Sequence, residues 1–421
     1  MKIGIFLSDD IPPETGGGYS YIKNIVNKII ADKSLDITLI LKTQKQNINS
    51  LFFTNYIANN GRPFLLFFPK EAEYPLLLKT TNKISKISRI KKLISTTELW
   101  YERLKAKIEH ENELSFGTLI QKHKINFIYY IEPMVCYSPK IPFITTVWDL
   151  GHLTAGQFPE LGSKEIFKKR EYFYRNYLPV AKYIFAESNE GKKNIVKFYQ
   201  IADEKINIIP LFPSQNVVKR IDSSEQQSWL EEKKLKKEKF LFYPAQFWAH
   251  KNHDNLLKAL KILKDKFQKK IPIVFTGSDK GNLGNVKMLI NKLSLQEDVF
   301  YLGFVSEKEI TILYQNAFAL VMPTFLGPTN MPILEAITFG CPIVCSDFEG
   351  HREQADNAAL YFDPTSPMDI ASKINSIMSS SELRNQLISN SKEILRNGNN
   401  NLDFASNKVM DILKNIDTNI E

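Results

Sequence analysis

The 421-residue sequence predicts an α/β protein of two Rossmann-like, doubly wound domains facing each other across a cleft. Three observations predict it. Short apolar runs alternate with amphipathic segments, the grammar of a parallel sheet covered by helices. That alternation is run through twice, on either side of a stretch rich in Ser, Gln and Lys that opens with two prolines. The length, at about 150 residues per domain, suits two or three domains.

The elements follow in order. Strands are expected at 3–7, 37–41, 127–130, 143–147 and 183–186, with helices at 19–30 and 165–177. The second half repeats the pattern, with strands at 240–244, 273–276, 299–302, 319–322 and 343–345 and helices at 252–267, 307–316 and 333–339. Only helical patterns follow Asp363-Pro364. The expected divisions are 1–212, a linker at 213–239 with a short helix near 226–235, a second domain at 240–400, and a closing helix at 401–421 packing back toward the first. Ligands of such sheets bind beyond the carboxyl ends of the strands.

Composition narrows the class. With 43% hydrophobic and 24% charged residues the chain reads as globular rather than disordered. Three cysteines in no C-x-x-C spacing argue against a disulfide scaffold and for a reducing compartment. No run of about 18 apolar residues is present, and the apolar start is too short for a signal peptide and is cut off by Asp9-Asp10. A cytoplasmic location is expected. The net charge of +9 is uneven: no acid occurs from Tyr74 to Thr97, where Lys79, Lys83, Lys86, Arg89, Lys91 and Lys92 accompany Ile84, Ile87, Ile90 and Leu93. A basic amphipathic helix over 79–93 suits an anionic membrane surface, and equally a helix packing on its own domain. Nucleic acid is not expected, because no motif of that kind accompanies the charge.

Several motifs are missing. There is no phosphate-binding G-x-x-x-x-G-K-[ST], no G-x-G-x-x-G after the first strand and no Asp-x-Asp to hold a metal against a diphosphate. Neither metal nor cofactor is expected, so an anion would fall to backbone amides, helix ends and Lys or Arg. Three segments offer these. Gly16, Gly17 and Gly18 sit between the first strand and first helix, where amides can approach an anion. Lys251 precedes a helix in Ala245-Gln246-Phe247-Trp248-Ala249-His250-Lys251-Asn252-His253. In Gly327-Pro328-Thr329-Asn330-Met331-Pro332-Ile333-Leu334-Glu335, Thr329 or Asn330 is expected to cap the helix opened by Pro332. Glu335, expected in its first turn, can accept the hydroxyls of a vicinal diol or serve its own helix as a capping-box residue.

These segments resemble the retaining glycosyltransferases of family 4, of bacterial surface-polysaccharide type, most densely over 241–364. The resemblance implies the GT-B fold, with an acceptor-side first domain and a second domain for the nucleotide-sugar donor. Lys251 stands at the family's diphosphate-binding lysine and Gln246 at its arginine. Glu335 stands at the second glutamate of the Glu-x7-Glu signature, which binds the ribose, while Gly327 stands at the first, which binds donor-sugar hydroxyls. Phe304 falls in the segment flanking the nucleobase. Thr146 to His152 resembles the His-Asp-Leu segment, with Trp148 replacing the histidine, so Trp148 and His152 are placed on the acceptor side and Asp149 among the catalytic candidates with Lys251. Thr329, Asn330 and Met331 are expected to hold the donor sugar in place of the missing glutamate.

The activity these readings imply is transfer of a hexosyl or deoxyhexosyl group from a nucleoside diphosphate sugar to a hydroxyl, with retention and without metal. The acceptor expected is a glycan, lipid-linked at the inner membrane face, as in capsule or O-antigen synthesis. A nucleotide-sugar epimerase of the same architecture and a non-catalytic nucleotide-sugar-binding scaffold are the alternatives, and need for an acceptor separates them.

Overall fold

Strands buried on both faces must be apolar almost throughout, and the runs in Lys2–Ser8 and Asp36–Lys42 are. The computed structural model describes residues 1–8, 17–43, 61–70, 88–138, 140–214 and 221–416, the side chains of 88–102 and 105 excepted. It contains two parallel sheets, each wound on both faces by helices. The first comprises β1 (Lys2–Ser8), β2 (Asp36–Lys42), β3 (Phe64–Phe67), β4 (Phe127–Pro133), β5 (Phe143–Val147), β6 (Tyr183–Ala186) and β7 (Ile206–Ile208), in the order β3-β2-β1-β4-β5-β6-β7. The second comprises β8 (Leu241–Pro244), β9 (Ile273–Thr276), β10 (Val299–Tyr301), β11 (Ala319–Met322), β12 (Ile343–Ser346) and β13 (Ala359–Phe362), in the order β10-β9-β8-β11-β12-β13. Each order reverses once, between β1 and β4 and between β8 and β11. A crevice at the strands' carboxyl ends opens there.

Three strands were absent from the sequence reading: β3, β7 and β13. All are sheet edges of three or four residues, too short for a period to show. The helix Ser88–Lys122 overlaps the expected basic helix only at 88–93 and runs far beyond it; its last turns bury Phe116 and Ile120. Of the basic stretch 79–93, residues 79–87 lie outside the described residues and 88–93 are described in backbone only.

Contacts between the two halves set the cleft. Helix Asn189–Tyr199 of the first half opens against Glu353 of the second, whose carboxylate accepts the backbone N–H groups of Asn189 and Glu190, each at 2.8 Å. Glu190 in return accepts the N–H of Gly350, at the start of helix Glu349–Ala355, at 2.6 Å. Each helix N-terminus thus has its unsatisfied donors met by a glutamate from across the cleft. The helix Ser223–Glu232 packs on the second half, Trp229 Nε1 donating to Glu309 at 3.1 Å. The last helix, Leu402–Lys414, lies on Gly17–Ala31 of the first half with Lys28 and Asp403 paired at 2.6 Å.

Candidate active site

Between the carboxyl edges of the sheets lies a cavity of about 760 Å³, the size of a small-molecule site. Of the residues singled out above, Gly17, Trp148, Asp149, Gln246, Lys251, Phe304, Gly327, Thr329, Asn330, Met331 and Glu335 line it. Gly16 lies outside the described residues. His152 does not line the cavity: its side chain is buried beneath Asp149, its Nε2 3.0 Å from Glu171 and 3.2 Å from the Tyr199 hydroxyl. Burial lowers its pKa, so it works as a packed, neutral ring.

Lys251 is the cavity's cation. It ends the turn Ala249–Lys251, and Asn252 enters helix His253–Asp265 in the left-handed region at φ 61°. Its ammonium makes no ion pair among the described residues and donates to Asn330 Oδ1 at 3.4 Å. Burial pushes its pKa down to about 8. Two helix N-termini converge beside it, those of Gly17–Ala31 and Met331–Phe339; a methyl group on Gly17 would stand 3.5 Å from Met331 Cε. Two positive helix ends and a lysine lining one cavity make a candidate anion site.

Asn330 occupies the N-cap position of Met331–Phe339, but its side chain does not cap the helix. His351 Nδ1–H donates to the Ser346 carbonyl at 2.8 Å, which leaves Nε2 to accept from Asn330 Nδ2 at 2.9 Å. That fixes the amide with Oδ1 toward Lys251. Gln354 holds the same residue's backbone, accepting its N–H at 2.9 Å and donating to its carbonyl at 3.2 Å. His351 and Gln354 are therefore positioning residues, invisible in a sequence that places them some twenty positions downstream.

Glu335 is the fifth residue of its helix rather than part of the first turn, and it caps nothing. It is buried, accepts the Tyr314 hydroxyl at 2.9 Å and takes a backbone hydrogen bond from Ser214. Burial without a cation raises its pKa to about 7. A buried carboxylate with no cation beside it can accept further hydrogen bonds, as a diol would supply. Phe304, 60% exposed, stands at the mouth beside the backbone of Gly277 and Ser278, a surface on which a flat ring can stack.

On the opposite wall Asp149 Oδ1 is committed twice, to Arg170 Nη2 and to the Gly151 N–H, both at 2.7 Å. Trp148 packs against the first helix beside Gly18, where a Cβ would stand 2.9 Å from the indole. A further carboxyl was missed from sequence. Glu187 follows β6, lines the cavity and accepts the Thr329 hydroxyl from the other half. Its position at the carboxyl end of a strand was the available signal.

Gly327 lies at φ +131°, and a Cβ there would meet Asn330 Nδ2 at 2.3 Å and the Thr329 carbonyl at 2.9 Å. Gly327→Ala is expected to cost about 1–3 kcal/mol through backbone strain and to lower Tm by several degrees. Gly284→Ala, where nothing stands within 4 Å, leaves Tm unchanged or raised. Thermal melts of the two variants check this.

Residues 225–394 match the family model described as Glycosyl transferases group 1. Among characterised sequences the chain is 30% identical over 196 residues to the O-antigen chain mannosyltransferase RfbU of Salmonella typhimurium, covering 47% of this chain and 51% of that one. It is 25% identical over 221 residues to O-antigen chain mannosyltransferase B of Escherichia coli, covering 52% and 57%. The chain thus spans about half the length of the curated relatives it matches. Whole-fold similarity runs further. The glycosyltransferase WaaG, involved in lipopolysaccharide biosynthesis, superposes with a TM-score of 0.69 at 15% identity over 98% of this chain and 100% of its own. HepE of Anabaena in complex with UDP gives 0.69 at 14% identity over 99% and 100%. The architecture of the chain is accordingly that of the GT-B glycosyltransferases, with a glycosyl transferases group 1 match across residues 225–394.

Proposed function

We propose that this protein is a retaining glycosyltransferase that moves a hexosyl or deoxyhexosyl group from a nucleoside diphosphate sugar to a glycan hydroxyl. The observation that carries the proposal is the buried Lys251 ammonium at the meeting of two helix N-termini, with the diol-seeking Glu335 in the same cavity. A diphosphate takes the first, a ribose the second, and Phe304 the base. The names of the relatives, O-antigen mannosyltransferases, support a surface-polysaccharide product. The acceptor in this reading is a lipid-linked glycan.

In the reaction, the bond between the sugar's anomeric carbon and the diphosphate oxygen breaks as the acceptor oxygen attacks from the same face. The acceptor proton passes to the departing phosphate oxygen. Lys251 and the helix ends stabilise the charge that develops there, which is how the step proceeds without metal. Asp149, held by Arg170 and Gly151, positions the wall against which the acceptor lies.

Calorimetry with UDP, GDP, dTDP and CDP checks the site. One nucleotide is expected to bind, with or without EDTA, and Glu335→Ala to weaken it about 10–100-fold, the loss of a charged hydrogen-bonding group. Binding by none of the four refutes the assignment. The pH dependence follows from the two shifts. Below about 7 Glu335 takes up a proton and stops accepting the diol; above about 8 Lys251 loses its proton and its attraction for phosphate. Affinity is therefore greatest between these values, and Glu335→Gln flattens the acid limb.

The charge run at 79–93 supports docking on an anionic membrane face. Reversing Lys86, Arg89 and Lys92 together is expected to abolish sedimentation with phosphatidylglycerol vesicles; unchanged sedimentation removes the membrane from the proposal.

A further inference from the structure

Three carboxyl groups face the cavity besides Glu307, and they differ in what already satisfies them. Asp149 has Arg170 and the Gly151 amide. Glu335 has the Tyr314 hydroxyl and Ser214. Glu187 has the Thr329 hydroxyl and, among the described residues, no cation. It is also the one whose hydrogen-bond partner belongs to the other half of the molecule.

The position of this pair relative to the anion site is set by the chain itself. Thr329 precedes Asn330, the residue that receives the Lys251 ammonium. Thr329 and Glu187 line the same cavity as Lys251, so a group carried by a phosphate at Lys251 on the side away from the nucleoside shares that cavity with this pair. Behind the pair is a second cavity of about 550 Å³, also lined by Glu187 and Thr329, so the two side chains form the partition where the front cavity ends. A carboxyl gives an aromatic base nothing to stack on. Together with a hydroxyl it offers alternating donors and acceptors, which match a sugar hydroxyl. The neighbouring position cannot supply this chemistry, since Gly327 admits no side chain without displacing Asn330.

Resting on the function proposed above, we infer that Glu187, with Thr329, binds a hydroxyl of the transferred sugar and so determines which sugar is accepted. Recognition is then divided. The second half supplies Lys251, Glu335 and Phe304 to the nucleotide, with the helix end at Gly17 added from the first half, whereas the sugar is read by Glu187 of the first half. Burial, which raises the Glu187 pKa to about 8, agrees with this: at neutral pH the group is a carboxylic acid, able to donate as well as accept.

The test compares nucleoside diphosphate with nucleoside diphosphate sugar. UDP, GDP, UDP-glucose and GDP-mannose are titrated calorimetrically into wild type, Glu187→Gln and Glu187→Ala. The bare diphosphate that binds wild type is expected to bind both variants within about twofold. Glu187→Ala should weaken its sugar derivative about 10–100-fold, the range for losing a hydrogen bond to a buried polar partner. Donor analogues lacking one hydroxyl at a time give the decisive readout. Wild type should discriminate against the loss of one particular hydroxyl, and Glu187→Ala should lose that discrimination while keeping the others. Glu187→Gln, nearly the same shape as the neutral acid, keeps the fold if the alanine variant does not, and should show partial discrimination. Equal weakening of diphosphate and sugar derivative, or full discrimination retained in the variants, overturns the inference and leaves the wider function standing. Failure of wild type to bind any of UDP, GDP, dTDP and CDP overturns the function itself, and this inference with it.

Discussion

The geometry of this molecule depends on a cation held where water does not hold it. Lowering the Lys251 pKa from its usual 10.5 to about 8 corresponds to a desolvation on the order of 3 kcal/mol. The Asp149 carboxylate offsets it only in part and forms no ion pair with it, Asn330 offers one long hydrogen bond, and the helix ends beside it are positive too. A fold selected only for stability would place a carboxylate there. Lys251 is instead left without an ion pair among the described residues, which is what the proposed diphosphate would supply. Much of the surrounding structure maintains that state, from the His351–Asn330 amide orientation to the close approach of Gly17 and Met331.

The same site exists only while the two halves stay together. Glu353 and Glu190 cap helices across the cleft, and Gly350 passes so close to Pro328 that a Cβ would overlap its carbonyl at 1.3 Å. That contact ties the interdomain seam to the loop at residues 327–330, which carries Thr329 and Asn330. Closure and site assembly are therefore one event rather than two.

The alternation of apolar and amphipathic segments made two doubly wound domains legible, because strands such as Ile3–Leu7 and Ile343–Cys345 are apolar without interruption. Edge strands such as Ile206–Ile208 were not, since three residues carry no period. Residues on loops of special chemistry, Lys251 and Glu335 among them, could be singled out because a helix start or a proline frames them. Side chains that act through space could not. Glu187 follows an ordinary strand and His351 an ordinary turn, and their importance comes from Thr329 and Asn330, over a hundred positions away in the first case. His152 failed for the converse reason. Its neighbours Trp148 and Asp149 face the cavity, but the short helix Gly151–Thr154 turns the imidazole inward to Glu171.

The shifts of Lys251 and Glu335 oppose each other in sign and share a cause. Burial deprives Lys251 of water and favours its neutral form; burial deprives Glu335 of water and favours its neutral form as well. An inorganic phosphate answers the first and does nothing for the second. A nucleoside without phosphate does the reverse. The two groups lie in one cavity but form no ion pair, so neither can relieve the other internally. A molecule that carries an anion at one end and a vicinal diol at the other restores charge to both groups at once, and the two gains couple because a single rigid-body placement delivers them. In the proposed function, selectivity for a nucleotide over its parts comes from keeping a lysine and a glutamate apart in the same cavity, and it needs no residue dedicated to rejecting the parts.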